Sequence, residues 1–313
     1  MKRIPIKERL ILYFVLLGLV SIAIVSLFSI FEAKKGIRER AFSQLILLRD
    51  LRREQILTFY HTRGQELIAL ANSEKIREVA ARFSSKPFEE SAQPILPEHN
   101  PLFDLVADPA NSGALYLITK EHHAFLLEKN PEGYYFKPDP DFFISENLSS
   151  LFKNNTGASY TVSEHLENEK DFQLLVIAPV LSVDGEIKAL LISELSPDAL
   201  QSLIFDKNPG TGMGKTGEAY LVGFDGIMRS PSRFVHDAVM KMKVGTEGYI
   251  NALKGKDGTG IYNDYRGIKI LGAFGLIEIG DLRQVILAEI DMSEAMIPLN
   301  SIRNDILMVP RLF

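Results

Sequence analysis

Lys215-Thr216-Gly217-Glu218-Ala219-Tyr220-Leu221-Val222-Gly223-Phe224-Asp225-Gly226-Ile227-Met228-Arg229-Ser230-Pro231-Ser232-Arg233-Phe234 reads as a strand, a tight turn and a second strand. Ala219 to Val222 is short, apolar and β-prone. Asp225-Gly226 is the pair that tight hairpins favour, because Gly tolerates positive φ. Ile227-Met228-Arg229-Ser230 is the expected return strand. Arg229 and Arg233 frame Ser230-Pro231-Ser232 and admit two readings. They bind a carboxylate or phosphate through paired hydrogen bonds, or they cap a helix and pair with Glu218 or Asp225.

Just upstream, Gly210-Thr211-Gly212-Met213-Gly214-Lys215-Thr216 imitates a phosphate-binding loop. That motif needs Gly five residues before the Gly-Lys pair, and Pro209 stands there. It also needs a strand before it and a helix after it, whereas an apolar strand follows. The stretch reads as a Gly-rich connection between two halves of the chain.

The 313 residues leave room for one membrane segment and about two domains. The net charge of -5 and the lack of a basic stripe argue against nucleic-acid binding. There is no cysteine, which excludes disulfides, thiolate nucleophiles and cysteine zinc sites. Leu10 to Phe31 runs for 22 residues without a formal charge, long enough to span a bilayer. A cleaved signal peptide would have a shorter core and a small-residue cleavage site, and Phe31-Glu32-Ala33-Lys34-Lys35 offers none. Lys2, Arg3, Lys7 and Arg9 before the span balance Lys34, Lys35, Arg38 and Arg40 after it, so charge leaves the orientation open.

From Glu32 to Phe83 the pattern is helical. Leu45, Leu48, Leu51, Ile56, Phe59, Leu67, Leu70 and Ala71 recur mostly at steps of three and four. A continuous helix rising from the membrane is expected, one stripe packing on its own domain and another available to a second copy. Ser84 to Pro109, rich in Pro, Ser and charge, reads as irregular.

The chain then repeats itself. Gly113-Ala114-Leu115-Tyr116-Leu117-Ile118 matches Gly217-Glu218-Ala219-Tyr220-Leu221-Val222. Ala189 to Ala199 matches Val285 to Ala295. The spacing is about one small domain, so two similar folds stand in tandem. Gln173 to Val180 and Ile187 to Leu195 flank Ser182-Val183-Asp184-Gly185, a hairpin signal. Gly260 to Asp264 and Ile268 to Phe274 flank Tyr265-Arg266-Gly267, and Arg283 to Ile290 closes the second half. Helices are expected at Pro197 to Phe205 and about Val235 to Leu253. Each half is thus an α+β unit around an antiparallel sheet.

The opening stretch, Asp264-Tyr265-Arg266-Gly267-Ile268-Lys269-Ile270-Leu271-Gly272-Ala273 and Leu287-Ala288-Glu289-Ile290-Asp291-Met292-Ser293-Glu294-Ala295 resemble the membrane-proximal half of double Cache sensor domains. These are extracytoplasmic, PAS-like input domains of bacterial chemotaxis receptors, sensor kinases and membrane-bound cyclases. The distal half resembles them through Ile177-Ala178-Pro179-Val180, Asp184-Gly185 and Leu190 to Leu195.

The resemblance implies a cytoplasmic tail (1–9), an anchor (10–31), a stalk helix (32–83), a distal Cache-like domain (84–205), a proximal one (206–298) and an exit helix (299–313). It puts the main domain outside the cytoplasmic membrane. Amino-acid-binding members carry an aromatic, Arg-rich stretch with Trp; this chain has no Trp, and Asn130-Pro131-Glu132-Gly133-Tyr134-Tyr135-Phe136 departs from that stretch. Ile306-Leu307-Met308-Val309 is too short to cross a membrane. Two expectations stand: a fragment of a longer receptor, or a natural chain with a truncated second span and no output module.

Other chemistry is weak. His122-His123 on a strand would point to opposite faces and cannot chelate together, so no metal site is expected. His61, His99, His165 and His236 form no nucleophilic set, and no catalytic residue or cofactor is expected. Glu167, Glu169 and Asp171 read as a solvated loop. Glu194 is the exception. It shares a strand face with Leu190 and Ile192, where a buried carboxylate needs a partner. Either a ligand amine meets it, with Tyr116 and Tyr160 as walls, or it caps the helix near Pro197. Tyr220, Arg229 and Arg233 are the corresponding proximal candidates. The leading functional reading is a membrane-anchored sensor domain for a small polar ligand, acting as a dimer of itself or with a full-length relative. An anchored envelope hydrolase and an assembly partner docking through the long helix are the alternatives.

Overall fold

A computed structural model describes residues 6–85, 112–130, 133–139, 142, 152, 159–168, 171–204 and 214–298. The expected irregular stretch after Ser85 and the exit segment at 299–313 lie outside the described residues. The first helix, α1 (Ile6–Ala71), carries the apolar span and the stalk as one unbroken element. Its N-terminal part is long and apolar enough to cross a membrane, and none of that window is buried.

The stalk helix does not continue to Phe83. It ends at Ala71, and α2 (Glu74–Ser85) starts anew after Asn72-Ser73. Ser73 supplies the break: its hydroxyl accepts from the amide of Ile76 (3.4 Å), a capping bond that competes with a continuous helix.

The distal sheet contains β1 (Ser112–Thr119), β2 (Ala124–Asn130), β3 (Gly133–Pro138), β4 (Thr161–Asn168), β5 (Asp171–Leu181) and β6 (Ile187–Leu195), in the order β3-β2-β1-β6-β5-β4. A short helix, α3 (Pro197–Ile204), follows. The proximal sheet contains β7 (Glu218–Gly223), β8 (Gly258–Asn263), β9 (Lys269–Ile279) and β10 (Leu282–Asp291), in the order β7-β10-β9-β8. Helices α4 (Glu247–Leu253) and α5 (Met292–Ala295) complete it. All strand pairs are antiparallel, and the two sheets place their first and last strands side by side. The α+β architecture of two tandem PAS-like sheets on a long helix is therefore observed.

Two local expectations fail. Ile227 to Ser230 forms only isolated bridges, Val222 with Met228 and Ile227 with Lys243. The Ser230 hydroxyl takes the Leu221 amide (2.9 Å), a bond that a strand carbonyl would otherwise accept. The Asp225-Gly226 turn itself forms, with Gly226 at φ 79. The helix expected from Val235 is only Glu247–Leu253. Upstream, Met228 takes the amide of Met240 and the carbonyl of Met242 (both 2.9 Å), and Asp237 and Met240 turn left-handed. Tertiary pairing thus claims the backbone groups a helix would have used.

One core unites the halves. Ile56, Tyr60, Leu67 and Leu70 of α1 pack with Leu117, Val176 and Leu191 of the distal sheet and with Leu221 and Ile286 of the proximal sheet. Lower on α1, Leu45 meets Ala219, Leu271, Ala273 and Ala288. Arg49, itself buried, donates to the Phe274 carbonyl (2.8 Å), and Arg53 forms a two-pronged pair with Asp257 (2.7 and 2.8 Å). The halves also touch directly. Glu164 on β4 accepts from Gln284 on β10 and pairs with Arg229 (3.2 Å), while Arg229 also holds Asp225 (2.8 Å).

Candidate binding face and a buried carboxylate pair

Each sheet has an inner face toward α1 and an outer face away from it. On the distal sheet, alternation sends Leu115, Leu117, Ala189 and Leu191 inward and Tyr116, Ile118, Leu190 and Ile192 outward. Tyr116 stands opposite Ile192, and its ring lies 4.3 Å from that of Phe142. Glu194 follows on the outer side, half-buried, with Leu175 across from it on β5. On the β1 side the register jumps from Ser112–Leu195 to Leu115–Ser193, so Gly113 and Ala114 together oppose Glu194. This is a β-bulge, a device that re-aims side chains beside binding sites. Tyr116 and Glu194 therefore share one face, as the strand pattern implies.

Tyr160 does not join them. It precedes Val162 on the same side of β4, and Val162 packs in the inner core. Its ring lies against Gly64 of α1, and its hydroxyl bonds His61 Nδ1 (3.0 Å). Parity along β4 explains the correction: residues two apart face the same way, and Val162 faces α1.

The proximal outer face is built differently. Tyr220, Val222, Val285 and Leu287 point outward, beneath Tyr249, Ala252 and Met228. Tyr220 opposes Leu287, as Tyr116 opposes Ile192. The sequence repeat is thus real but slips by one residue in its second segment: Val285 matches Leu190, not Ala189. With that register, Glu289 is the counterpart of Glu194. The signal was available in strand alternation, and the apolar similarity of the two segments masked it.

Glu289 is buried and accepts from the Tyr220 hydroxyl (2.9 Å) and the Tyr262 hydroxyl (3.0 Å). Directly opposite on β7 stands Glu218, also buried. It accepts from the Tyr265 hydroxyl, the Ser232 hydroxyl (3.3 Å) and the Arg233 amide (3.0 Å). Burial pushes Glu289 up to about 8, against the opposing effect of its two tyrosines and with help from the Glu218 charge. Burial also raises Glu218, although Tyr265 and the Arg233 amide counter it.

Of the proximal candidates, Tyr220 belongs to this cluster. Arg229 is buried and committed to Glu164 and Asp225. Arg233 gives its amide to Glu218, and its guanidinium bonds the carbonyls of Gly214 (3.0 Å) and Lys215 (3.1 Å). The Asp225 pairing and the Glu218 contact follow the structural reading of these arginines rather than the ligand one. The imitation phosphate loop is also accounted for where it is described. The amides of Lys215 and Thr216 donate to the carboxylate of Glu294 on α5 (2.8 and 2.7 Å). Burial opposes ionisation of Glu294, but these amides and the Thr216 hydroxyl hold it below the ordinary carboxylate range. His122 and His123 sit at the β1–β2 turn, where the Thr119 amide bonds the His123 carbonyl (3.0 Å).

No protein-family model matches the chain. No curated protein matches it by sequence either. Solved structures do. The ligand-binding domain of the Pseudomonas fluorescens chemoreceptor CtaA, in complex with L-isoleucine, is 17% identical with a TM-score of 0.54, over 85% of this chain and 98% of that one. The ligand-binding domain of the Campylobacter jejuni chemoreceptor Tlp3, in complex with L-valine, is 13% identical with a TM-score of 0.53, over 84% and 97%. The extracellular domain of the putative histidine kinase mmHK1S-Z2 is 12% identical with a TM-score of 0.51, over 83% and 99%. The chain has the fold of these chemoreceptor and histidine-kinase sensory domains, the double Cache arrangement that its motifs resemble.

Proposed function

We propose that the chain is a membrane-anchored, extracytoplasmic sensor domain whose distal outer face binds a small ligand carrying an ammonium group. The observation that carries the reading is the placement of Glu194. It is a half-buried carboxylate on the same face as Tyr116, Leu190 and Ile192, opposite a β-bulge. A carboxylate and an aromatic ring on one face suit an ammonium, the first through a charge-assisted hydrogen bond and the second through its π face. The amino acids held by the similar chemoreceptor domains support this ligand class. The reading is of binding, not catalysis.

The response is a population shift between two packings of the distal sheet. Ligand on the outer face favours one packing. The change passes to the proximal half through Glu164, Arg229 and Gln284, and from β10 into α5. Anchoring in the cytoplasmic membrane by α1, with both sheets outside, completes the arrangement; the unbroken run from Ile6 to Ala71 supports it. A second copy packs along α1, where Ile46, Leu47 and Leu51 form an exposed apolar stripe outside the span.

A dye-based thermal-shift screen of the full chain in detergent, against the protein amino acids and small primary amines, tests this. A ligand at about one hundred times its Kd adds about 2.7 kcal/mol, which raises Tm by several degrees. A flat response to every amine would overturn the ligand class.

A further inference from the structure

The Glu218–Glu289 pair has no part in ligand binding on the distal face. The two residues are direct partners on adjacent antiparallel strands. Opposed side chains there have Cβ atoms about 5 Å apart. Both lie on the outer face, both are nearly inaccessible, and the pair is the last in the β7–β10 ladder before α5. Two like charges this close and this dry do not both ionise without a large cost.

The surrounding charges do not relieve the pair. From the β8–β9 turn, Arg266 faces Glu218, but its guanidinium is held by Asp264 and Asp291 (both 2.6 Å). Arg233 offers its amide and turns its guanidinium to carbonyls. Asp264 and, from α4, Glu247 add negative charge near Tyr262. Tyr220, Tyr262 and Tyr265 complete the titratable neighbours, and burial keeps each protonated.

The donor sets assign the roles. Glu218, with two hydroxyls and an amide, is fitted to carry charge. Glu289 is deeper and has one donor fewer, so of the two it is the one that keeps a proton. A cleft of about 670 Å³ lined by Ser232, Arg233 and His236 brings solvent up to the Glu218 partners.

We propose that the Glu218–Glu289 pair is a proton-binding site, and that loss of its proton at alkaline pH forces β7 and β10 apart at the root of α5, so the proximal half responds to external pH. The route to α5 is short. Asp291 ends β10, and its amide bonds the Thr216 hydroxyl (3.2 Å) at the foot of β7. Glu294 on α5 is fastened to the same foot by the Lys215 and Thr216 amides. Separation of the two strands therefore pulls on both attachments of α5. The inference needs no ligand on the distal face, and its test is run without one.

The chain has no cysteine, so Ser293→Cys, at an exposed position of α5, takes a single environment-sensitive fluorophore. Infrared difference spectra of the full chain are recorded from about pH 6 to about pH 10, spanning the upper end of the carboxyl range. A protonated-carboxyl band should disappear across that range, and the fluorophore should change with the same midpoint. Glu289→Gln should abolish both changes. Glu218→Gln removes the neighbouring charge and should lower the midpoint by about one unit or more, which keeps the test sound if Glu289→Gln folds poorly. Absence of the band, persistence of the band in Glu289→Gln, or a fluorophore indifferent to its loss would each overturn the proposal.

Discussion

Tyr60 and Gly64 show how single side chains fix the distal sheet on α1. The Tyr60 hydroxyl is buried without a hydrogen-bond partner, and burial followed by the Glu164 charge keeps it protonated. An orphaned hydroxyl costs about 1–3 kcal/mol. Tyr60→Phe keeps the ring and should leave Tm unchanged or higher; a fall of several degrees would mean the hydroxyl has a role. Gly64 looks like a weak point for a helix, but a Cβ there would run into the Tyr160 ring. Gly64→Ala should therefore lower stability by about 1–3 kcal/mol, despite the better helix propensity of Ala.

Glu289 makes stability depend on pH. Its folded value near 8 lies above the ordinary 4.5, so the native state binds the extra proton between those limits. Stability from this group is complete below about 4.5 and falls as pH rises towards about 8, by at most about 1.4 kcal/mol per unit. Chemical denaturation at several pH values should show that decline, and Glu289→Gln should flatten it.

Among the elements, β5, β6 and the proximal strands were legible because alternation and hairpin signals are local, whereas β2, β3 and β4 were not, and Glu167 and Asp171, expected in a loop, lie on β4 and β5. Gly260 to Asp264, Ile268 to Phe274 and Arg283 to Ile290 correspond to β8, β9 and β10, although β9 runs on to Ile279, and the turn at Ser182-Val183-Asp184-Gly185 forms. The segment from Val235 was not legible, because its backbone is tied to Met228, a contact that no local pattern encodes. The same holds for Glu164: nothing near it in sequence announces Arg229 and Gln284. Arg229→Met removes the cation but leaves Glu164 and Asp225 facing each other at the junction. A loss of about 3 kcal/mol is expected, with the halves coming apart in hydrogen exchange before either sheet opens. Exchange that stays uniform across both sheets would show that the junction does not couple them.

For the whole molecule, α1 joins the apolar N-terminal run, the stalk and both sheets in one mechanical body. The candidate face was half legible at this scale: that Tyr116 and Glu194 share one side followed from strand parity, whereas the pairing of Glu218 with Glu289 emerged only when the two sheets were matched by register. Topology is checked at the β5–β6 hairpin tip, where Val183 is almost fully exposed. A membrane-impermeant maleimide should label Val183→Cys in intact cells or spheroplasts; labelling only after lysis would reverse the orientation. Leu51→Cys should trap a disulfide dimer across the exposed stripe of α1, and a chain that stays monomeric under oxidation would remove the second copy.

The most direct test of the sensor reading is calorimetric titration of wild type and Glu194→Gln with whichever amino acid or amine raises Tm most. The substitution keeps the shape of the side chain and removes its charge. The account predicts at least a tenfold loss of affinity, about 1.4 kcal/mol, with the ligand-free Tm held or raised. Equal affinity in the two proteins would contradict it and move the ligand off the distal outer face.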